Sequence, residues 1–209
     1  MIKSIEKETS IPVINPFKGI WLAMNRFLNS TYLRKAGIIV PDFSLTPDNV
    51  KAPFKDYIIK NIIDQKSSKF NPSIEITSDH IHVSDERALS EVSGGEQSYH
   101  YLFYQNFIKS KWEYKLYGIG DKIFFYKHLP TIKNPNILDK RIKIKKIPEL
   151  EEYALKAMNV LNLKVASIDF LKSESGQYYL IDINSGPNFN TIRNGHQLLG
   201  DFLLSQAKK

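Results

Sequence analysis

Cysteine is absent from the 209-residue chain, so neither a disulfide framework nor a thiolate metal site can form. No apolar run approaches the roughly 18 residues that a membrane-spanning helix needs. No secretory signal pattern opens the sequence either. These absences exclude a helical membrane span, and the chain is expected to be cytoplasmic. Internal repeats and low-complexity segments are also missing. Glycine is sparse at 10 residues, and the stretch from Asn61 to Lys69 contains none.

What is present is the composition of a folded protein: 42% hydrophobic and 24% charged residues, enough for one large or two small domains. The formal net charge of +7 permits an acidic partner such as a nucleotide, a phosphorylated metabolite or a nucleic acid. Lys and Arg are nevertheless spread along the chain. The one dense basic run is Lys140-Arg141-Ile142-Lys143-Ile144-Lys145-Lys146. Its alternation with Ile reads as a strand with one solvated face, which disfavours a nucleic-acid partner.

Residues 1–16 contain Pro12, Asn15 and Pro16 and read as an extended lead-in. Phe17, Ile20, Trp21, Met24, Leu28, Tyr32, Leu33 and Ala36 then recur at steps of three and four, the spacing of an amphipathic helix that Gly37 can end. Asn29-Ser30-Thr31 is the expected break within it. Tyr57 to Ile63 is a short apolar strand carrying Lys60, whose ammonium needs an anion. Ile74–Thr77 and His80–Ser84 alternate as short strands, Asp85–Ser93 reads as a helix, and Ser93-Gly94-Gly95-Glu96 reads as a turn. Tyr99–Ile108 is an aromatic strand, and Trp112 to Tyr126 forms a hairpin around Gly120-Asp121. A Pro- and Asn-rich loop fills the 130s. Pro148-Glu149 opens a helix with an apolar face of Leu150, Ala154, Ala157, Met158 and Leu161. A closing helix around His196 to Gln206 packs through Leu198, Leu199, Phe202 and Leu203.

The most informative stretch lies between those two helices, from Val165 to Asn188. Two apolar runs flank the turn formers Ser173-Glu174-Ser175-Gly176, which makes a hairpin. On its second strand Asp182 and Asn184 share one face, with Ile181 and Ile183 on the other. Asp169, in the middle of the first strand between Ile168 and Phe170, is costly to bury unless something offsets its charge. Two carboxylates and an amide oxygen form an all-oxygen site suited to Mg2+, although a turn at Ser185-Gly186-Pro187 also accounts for Asp182 and Asn184 taken alone.

The order of these features resembles the ATP-grasp superfamily from about Val13 to the C-terminus. The resemblance rests on Val13-Ile14-Asn15-Pro16, on Asn25-Arg26, on Gly37-Ile38-Ile39-Val40-Pro41 and on Tyr57-Ile58-Ile59-Lys60. It also rests on Gln105-Asn106-Phe107-Ile108, on Glu113 with Lys115-Leu116-Tyr117-Gly118-Ile119-Gly120-Asp121, and on the Asp169 and Asp182-Ile183-Asn184 pattern. It implies an α+β, two-lobed fold of antiparallel sheets backed by helices: a lead-in at 1–16, a helical segment and nucleotide-clamping lobe at 17–104, and a metal-bearing lobe at 105–209. It implies ATP and Mg2+ as cofactors. Arg26 and Lys60 would meet the phosphates, the backbone of Gln105, Asn106, Phe107 and Ile108 the adenine edge, and Glu113 the ribose. Asp169, Asp182 and Asn184 fall on the metal ligands, and Lys115 and Arg193 are the expected catalytic cations.

The sequence departs from the family at three points. The loop after Lys60 has no glycines, so either Lys66 or Lys69 acts in their place or the segment is a solvated loop. Asp182 stands where many members have Glu. Almost nothing precedes Val13, where the family places a substrate-side domain, so a homo-oligomer or a partner chain is expected to supply it. The activity implied is that of a ligase resembling glutathione synthetase and the ribosomal-protein glutamate ligase. Such a ligase activates a carboxylate as an acyl phosphate for attack by an amine or thiol, with a small molecule or peptide as acceptor. An inositol or sugar phosphate kinase, and a nucleotide-binding module without turnover, are the alternatives.

Overall fold

In the computed structural model, which describes residues 1–47, 53–60, 62, 73–76, 81–84, 101–130 and 140–208, the Val165 hairpin forms one side of a five-stranded antiparallel sheet. The chain runs through α1 (Ile2–Glu8), α2 (Phe17–Met24), α3 (Arg26–Lys35), β1 (Phe43–Pro47), β2 (Tyr57–Lys60), β3 (Ser73–Ile76), β4 (Ile81–Ser84) and β5 (Tyr101–Asn106). It continues through β6 (Glu113–Ile119), β7 (Lys122–His128), β8 (Ile142–Lys143), α4 (Pro148–Val160), β9 (Val165–Lys172), β10 (Tyr178–Asn184) and α5 (Gly195–Ala207). The large sheet has the order β10-β9-β6-β7-β8, a smaller one the order β1-β5-β2, and β3 pairs with β4.

One face of the large sheet makes the main core. Leu116, Ile168, Phe170, Leu180 and Ile183 pack with Leu150, Ala154, Ala157 and Met158 of α4 and with Leu33 of α3. Burying such side chains contributes about 25 cal/mol per Å2 of apolar surface. α4 starts as its sequence signals, with Pro148 in the first turn beside Glu149 and Glu151. It approaches β6 so closely that a Cβ at Gly118 would lie 2.3 Å from the Met158 sulfur. The β6–β7 turn needs Gly120 for another reason, its φ of +59°. On the opposite face a second cluster of Tyr117, Ile119, Tyr126 and Val165 packs with Phe189, Ile192 and α5 residues Leu198, Leu199 and Phe202. Leu203, expected in that packing face, is 39% exposed.

Several expectations are corrected. The lead-in is not wholly extended, because α1 occupies Ile2–Glu8. The long amphipathic helix breaks at Asn25, not at Asn29-Ser30-Thr31: Asn25 is extended and its side chain caps α3 by accepting from the Leu28 N–H at 2.9 Å. Asn29 and Ser30 are buried inside α3, where Asn29 Nδ2 donates to the Ala23 carbonyl. Of the basic run, only Ile142–Lys143 is a strand, paired with Lys127 and Tyr126. The aromatic strand ends at Asn106, two residues before the expected Ile108, and its last residues Gln105 and Asn106 pair with Ile58 and Tyr57. The helix at Asp85–Ser93, the Gly94-Gly95 turn, the loop in the 130s, and Lys66 and Lys69 lie outside the described residues.

Candidate functional site

The site is a row of side chains across three neighbouring strands. Lys115 of β6 lies opposite Asp169 of β9, which lies opposite Asp182 of β10. The next row on the same face is Tyr117, Ser167 and Asn184. Directly opposed residues in antiparallel strands have Cβ atoms about 4.5–5.5 Å apart, close enough for their oxygens to share one cation.

Strict alternation along β10 would not build this row. Tyr178 and Leu180 face the core, so an unbroken pleat would send Asp182 after them. The ladder instead shifts between Leu180 and Asp182: Leu180 pairs with Phe170 and Asp182 with Asp169, with Ile181 as the extra residue. This bulge turns Asp182 and Asn184 to the site face and puts Ile183 into the core. The expected pairing of Ile181 with Ile183 on one face therefore fails at Ile181. Its carbonyl has another use, accepting from Lys60 Nζ at 2.9 Å.

That hydrogen bond brings the small sheet onto the large one. Lys60 is half-buried, and desolvation lowers its pKa, with Asp182 opposing the shift and Arg26 adding to it. Arg26, at the start of α3, lies 3.6 Å from Asp182 through Nε, and its N–H donates to the Ile62 carbonyl. Lys115 Nζ donates to both oxygens of Asp169 at 2.7 and 2.8 Å. Burial opposes its charge, but Asp169, with help from Tyr117 and Asp182, outweighs burial and raises the Lys115 pKa. The ion pair is what offsets the cost of burying Asp169.

The structure brings Arg26, Lys60, Lys115, Asp169, Asp182 and Asn184 together, with Asn184 Oδ1 also accepting from the Gly186 N–H. Gln105 is buried in β5, and two amides of the expected adenine-edge segment are engaged: Asn106 donates to Asp42 and Phe107 to Asp56. Ile108 follows them, half-buried. Glu113 is buried two residues along β6 from Lys115, 3.5 Å from His128 Nε2. Arg193 is exposed in the turn before α5.

A different arginine reaches the site. Arg141 Nη1 donates to Tyr117 Oη at 2.6 Å and to Thr191 Oγ1 at 2.9 Å, while its Nε is buried with no protein partner. The sequence signal was an arginine among lysines: a planar guanidinium suits a fixed oxyanion better than a flexible ammonium does. The run around it looked like a solvated strand, which hid it.

Among the described residues no three His, Asp or Glu side chains form a metal cluster. The oxygen set is two carboxylates and an amide, which fits a hard cation that completes its shell with water and phosphate oxygens. Arg26, Lys60 and Lys115 lie among these carboxylates and Arg141 lies on Tyr117 of the next row, a cationic arrangement that suits a polyanion.

His128 yields a pH expectation. Its Nδ1–H donates to the Leu129 carbonyl at 2.8 Å. Burial lowers its pKa below 6.5; the Leu129 carbonyl and Asp169 oppose the shift, and Arg141 and Lys115 add to it. The folded protein thus holds the neutral ring while the unfolded chain protonates near 6.5. This contribution is complete above that pH and is lost as pH falls through the lower folded value. Thermal unfolding of the parent protein should weaken on the acid side more steeply than that of His128→Asn. Equal acid slopes would assign the loss to other groups.

No protein-family model matches the sequence. The tetrahydromethanopterin:alpha-L-glutamate ligase of Methanocaldococcus jannaschii is 26% identical over 196 residues, which cover 86% of this chain and 64% of that protein. A RiPP-associated ATP-grasp ligase of Chryseobacterium gregarium, solved with ADP and a leader and core peptide, superposes with a TM-score of 0.67 at 17% identity, over 93% of this chain and 63% of that one. The macrocyclase MdnC of Microcystis aeruginosa, bound with precursor peptide MdnA, gives 0.65 at 17% identity, over 93% and 65%. The D-alanine–D-alanine ligase of Bacillus anthracis, complexed with ATP, gives 0.57 at 14% identity, over 93% and 67%. The chain thus spans just under two thirds of the length of the glutamate ligase and of the first two solved structures.

Proposed function

Starting from the ATP-grasp fold that this chain has, we propose that it is an ATP- and Mg2+-dependent ligase that activates a carboxylate as an acyl phosphate for attack by an amine or thiol. The observation that carries this reading is the Lys115–Asp169–Asp182 row, with Lys60 and Arg26 laid over it and Arg141 at its edge. Phosphoryl transfer asks little covalent chemistry of a protein. It asks for positioned cations around oxygens that gain negative charge.

In this reading Asp169, Asp182 and Asn184 hold Mg2+, which when bound neutralises and orients phosphate oxygens. Lys60 and Arg26 meet the phosphates from the small sheet, and the segment from Gln105 to Ile108 takes the adenine. Lys115 then divides its ammonium between Asp169 and the transferring phosphoryl group. A carboxylate oxygen attacks the γ-phosphorus and ADP leaves; the amine or thiol then attacks the acyl carbon, loses its proton, and expels inorganic phosphate. The Arg141 guanidinium, whose buried Nε has no protein partner, would bind an oxygen of the acyl phosphate. The acceptor class is a peptide or an amino acid, supported by the peptides bound to two of the structural neighbours and by the glutamate named in the ligase relative.

The test is a screen for ADP release with Mg2+ over amino acids, peptides and polyol phosphates, followed by mass spectrometry of the products. ADP together with a condensed product is expected for at least one carboxylate and amine pair. A phosphorylated small molecule with no condensed product would replace the ligase reading with a kinase. ATP binding without ADP for any acceptor would replace it with a module that does not turn over.

A further inference from the structure

We propose that Asn15, 154 to 169 residues before Asp169, Asp182 and Asn184 in the sequence, is a positioning residue that sets Asn184 for the metal; this rests on the metal role given above to those three residues. Its side chain is buried, 4% exposed, in the segment that leads into α2. Its carboxamide makes four hydrogen bonds. Oδ1 accepts from the N–H groups of Lys164 at 2.7 Å and Val165 at 3.0 Å. Nδ2 donates to the carbonyls of Val165 at 2.6 Å and Ser185 at 2.8 Å. That is the full bonding capacity of an asparagine side chain, two acceptor sites and two donors.

The pattern is that of a missing strand residue. β10 ends at Asn184, opposite Ser167, so a continued ladder would bring Gly186 opposite Val165. The chain turns away instead, and the Gly186 N–H donates to Asn184 Oδ1 at 2.8 Å. Asn15 takes the vacated place, exchanging an N–H and a carbonyl bond with Val165 as a paired strand residue would. Its second donor holds the carbonyl of Ser185, the residue directly after Asn184. One buried side chain therefore fixes the first residue of β9, the strand of Asp169, against the residue that follows Asn184. The Asn184 oxygen accepts from Gly186 and has capacity for one more partner, on a residue that shares its sheet face with Asp182.

Outer residues that orient metal ligands typically change metal affinity by about 10- to 100-fold when removed. The test measures Mn2+ binding by loss of the free-ion EPR signal in the presence of saturating ADP, with metal-free ADP affinity and thermal unfolding measured alongside. Asn15→Ala is expected to weaken Mn2+ by about tenfold and to leave metal-free ADP binding within a factor of about two. Asn15→Asp retains the acceptor for Lys164 and Val165 but not the donor for Ser185, and is expected to lose Mn2+ affinity to the same degree. In an Asn184→Ala background, Asn15→Ala should produce no further loss, because the ligand it positions is gone.

Unchanged Mn2+ affinity in a folded Asn15 variant would overturn the proposal. So would an additive loss in the double variant, or failure of both Asn15 variants to fold, which would make the residue part of the scaffold only. If Asn184→Ala itself leaves Mn2+ binding unchanged, the metal assignment fails, a result distinct from failure at Asn15.

Discussion

Asp182→Ala is expected to reduce ADP formation by about a hundred- to a thousandfold, the range found when one preorganised charge-stabilising group is removed from an active site. The fold should tolerate the change. Asp182 is partly exposed and its Arg26 contact is 3.6 Å long, so the pair contributes little to stability, about 1 kcal/mol or less. Asp182→Glu should retain activity, because the added methylene keeps the carboxylate on the same face of β10. Steady-state ADP release against Mg2+ concentration checks both variants. Wild-type turnover with unchanged Mg2+ dependence in Asp182→Ala would remove Asp182 from the metal site and leave it as the start of a turn.

Lys115→Met is expected to have the largest effect on stability, about 3–5 kcal/mol, because it strands a buried carboxylate at Asp169. Methionine keeps most of the packing volume, so the loss reads the charge. Adding Asp169→Asn in the same chain should recover most of it, because removing both members of a buried pair costs far less than removing one. The comparison is made by urea unfolding at neutral pH. A loss below about 1 kcal/mol in the single variant would show that water screens the pair. The Lys115 pKa is raised in the folded state, so the pair's contribution is complete below 10.5 and disappears as pH rises through the higher folded value. Neither variant should turn over, because in the proposed mechanism Lys115 also meets the transferring phosphoryl group.

Much of the framework was legible along the chain. The Ser173–Gly176 turn between apolar runs marked the β9–β10 hairpin, and Gly120-Asp121 marked the β6–β7 hairpin. Pro148 with its acidic neighbours marked α4. These are local signals, read from turn chemistry and period, and tertiary contacts had no reason to override them. The break in the first long helix was misplaced because Asn25 and Asn29-Ser30-Thr31 are equally good breakers locally. Burial of Asn29 and Ser30 against neighbouring elements decided between them.

By itself the sequence determined which residues had the chemistry: hard oxygen donors at Asp169, Asp182 and Asn184, and cations at Arg26, Lys60 and Lys115. Asp169 and Lys60 stand out because a carboxylate or an ammonium inside an apolar strand is too costly to place without a partner, Asp182 and Asn184 because alternation puts them on one face, and Arg26 and Lys115 only through the resemblance to the ATP-grasp superfamily. The tertiary structure decided which of those residues meet. A period-2 reading places Asp182 and Asn184 on one face but cannot say which face is the core, and a single extra residue at Ile181 reverses the answer. Arg141 and Asn15 are legible only in three dimensions, since their partners at Thr191, Val165 and Ser185 are 50 to 170 residues away. Contacts that long-ranged are set by how the sheets close on one another, and no local pattern carries them.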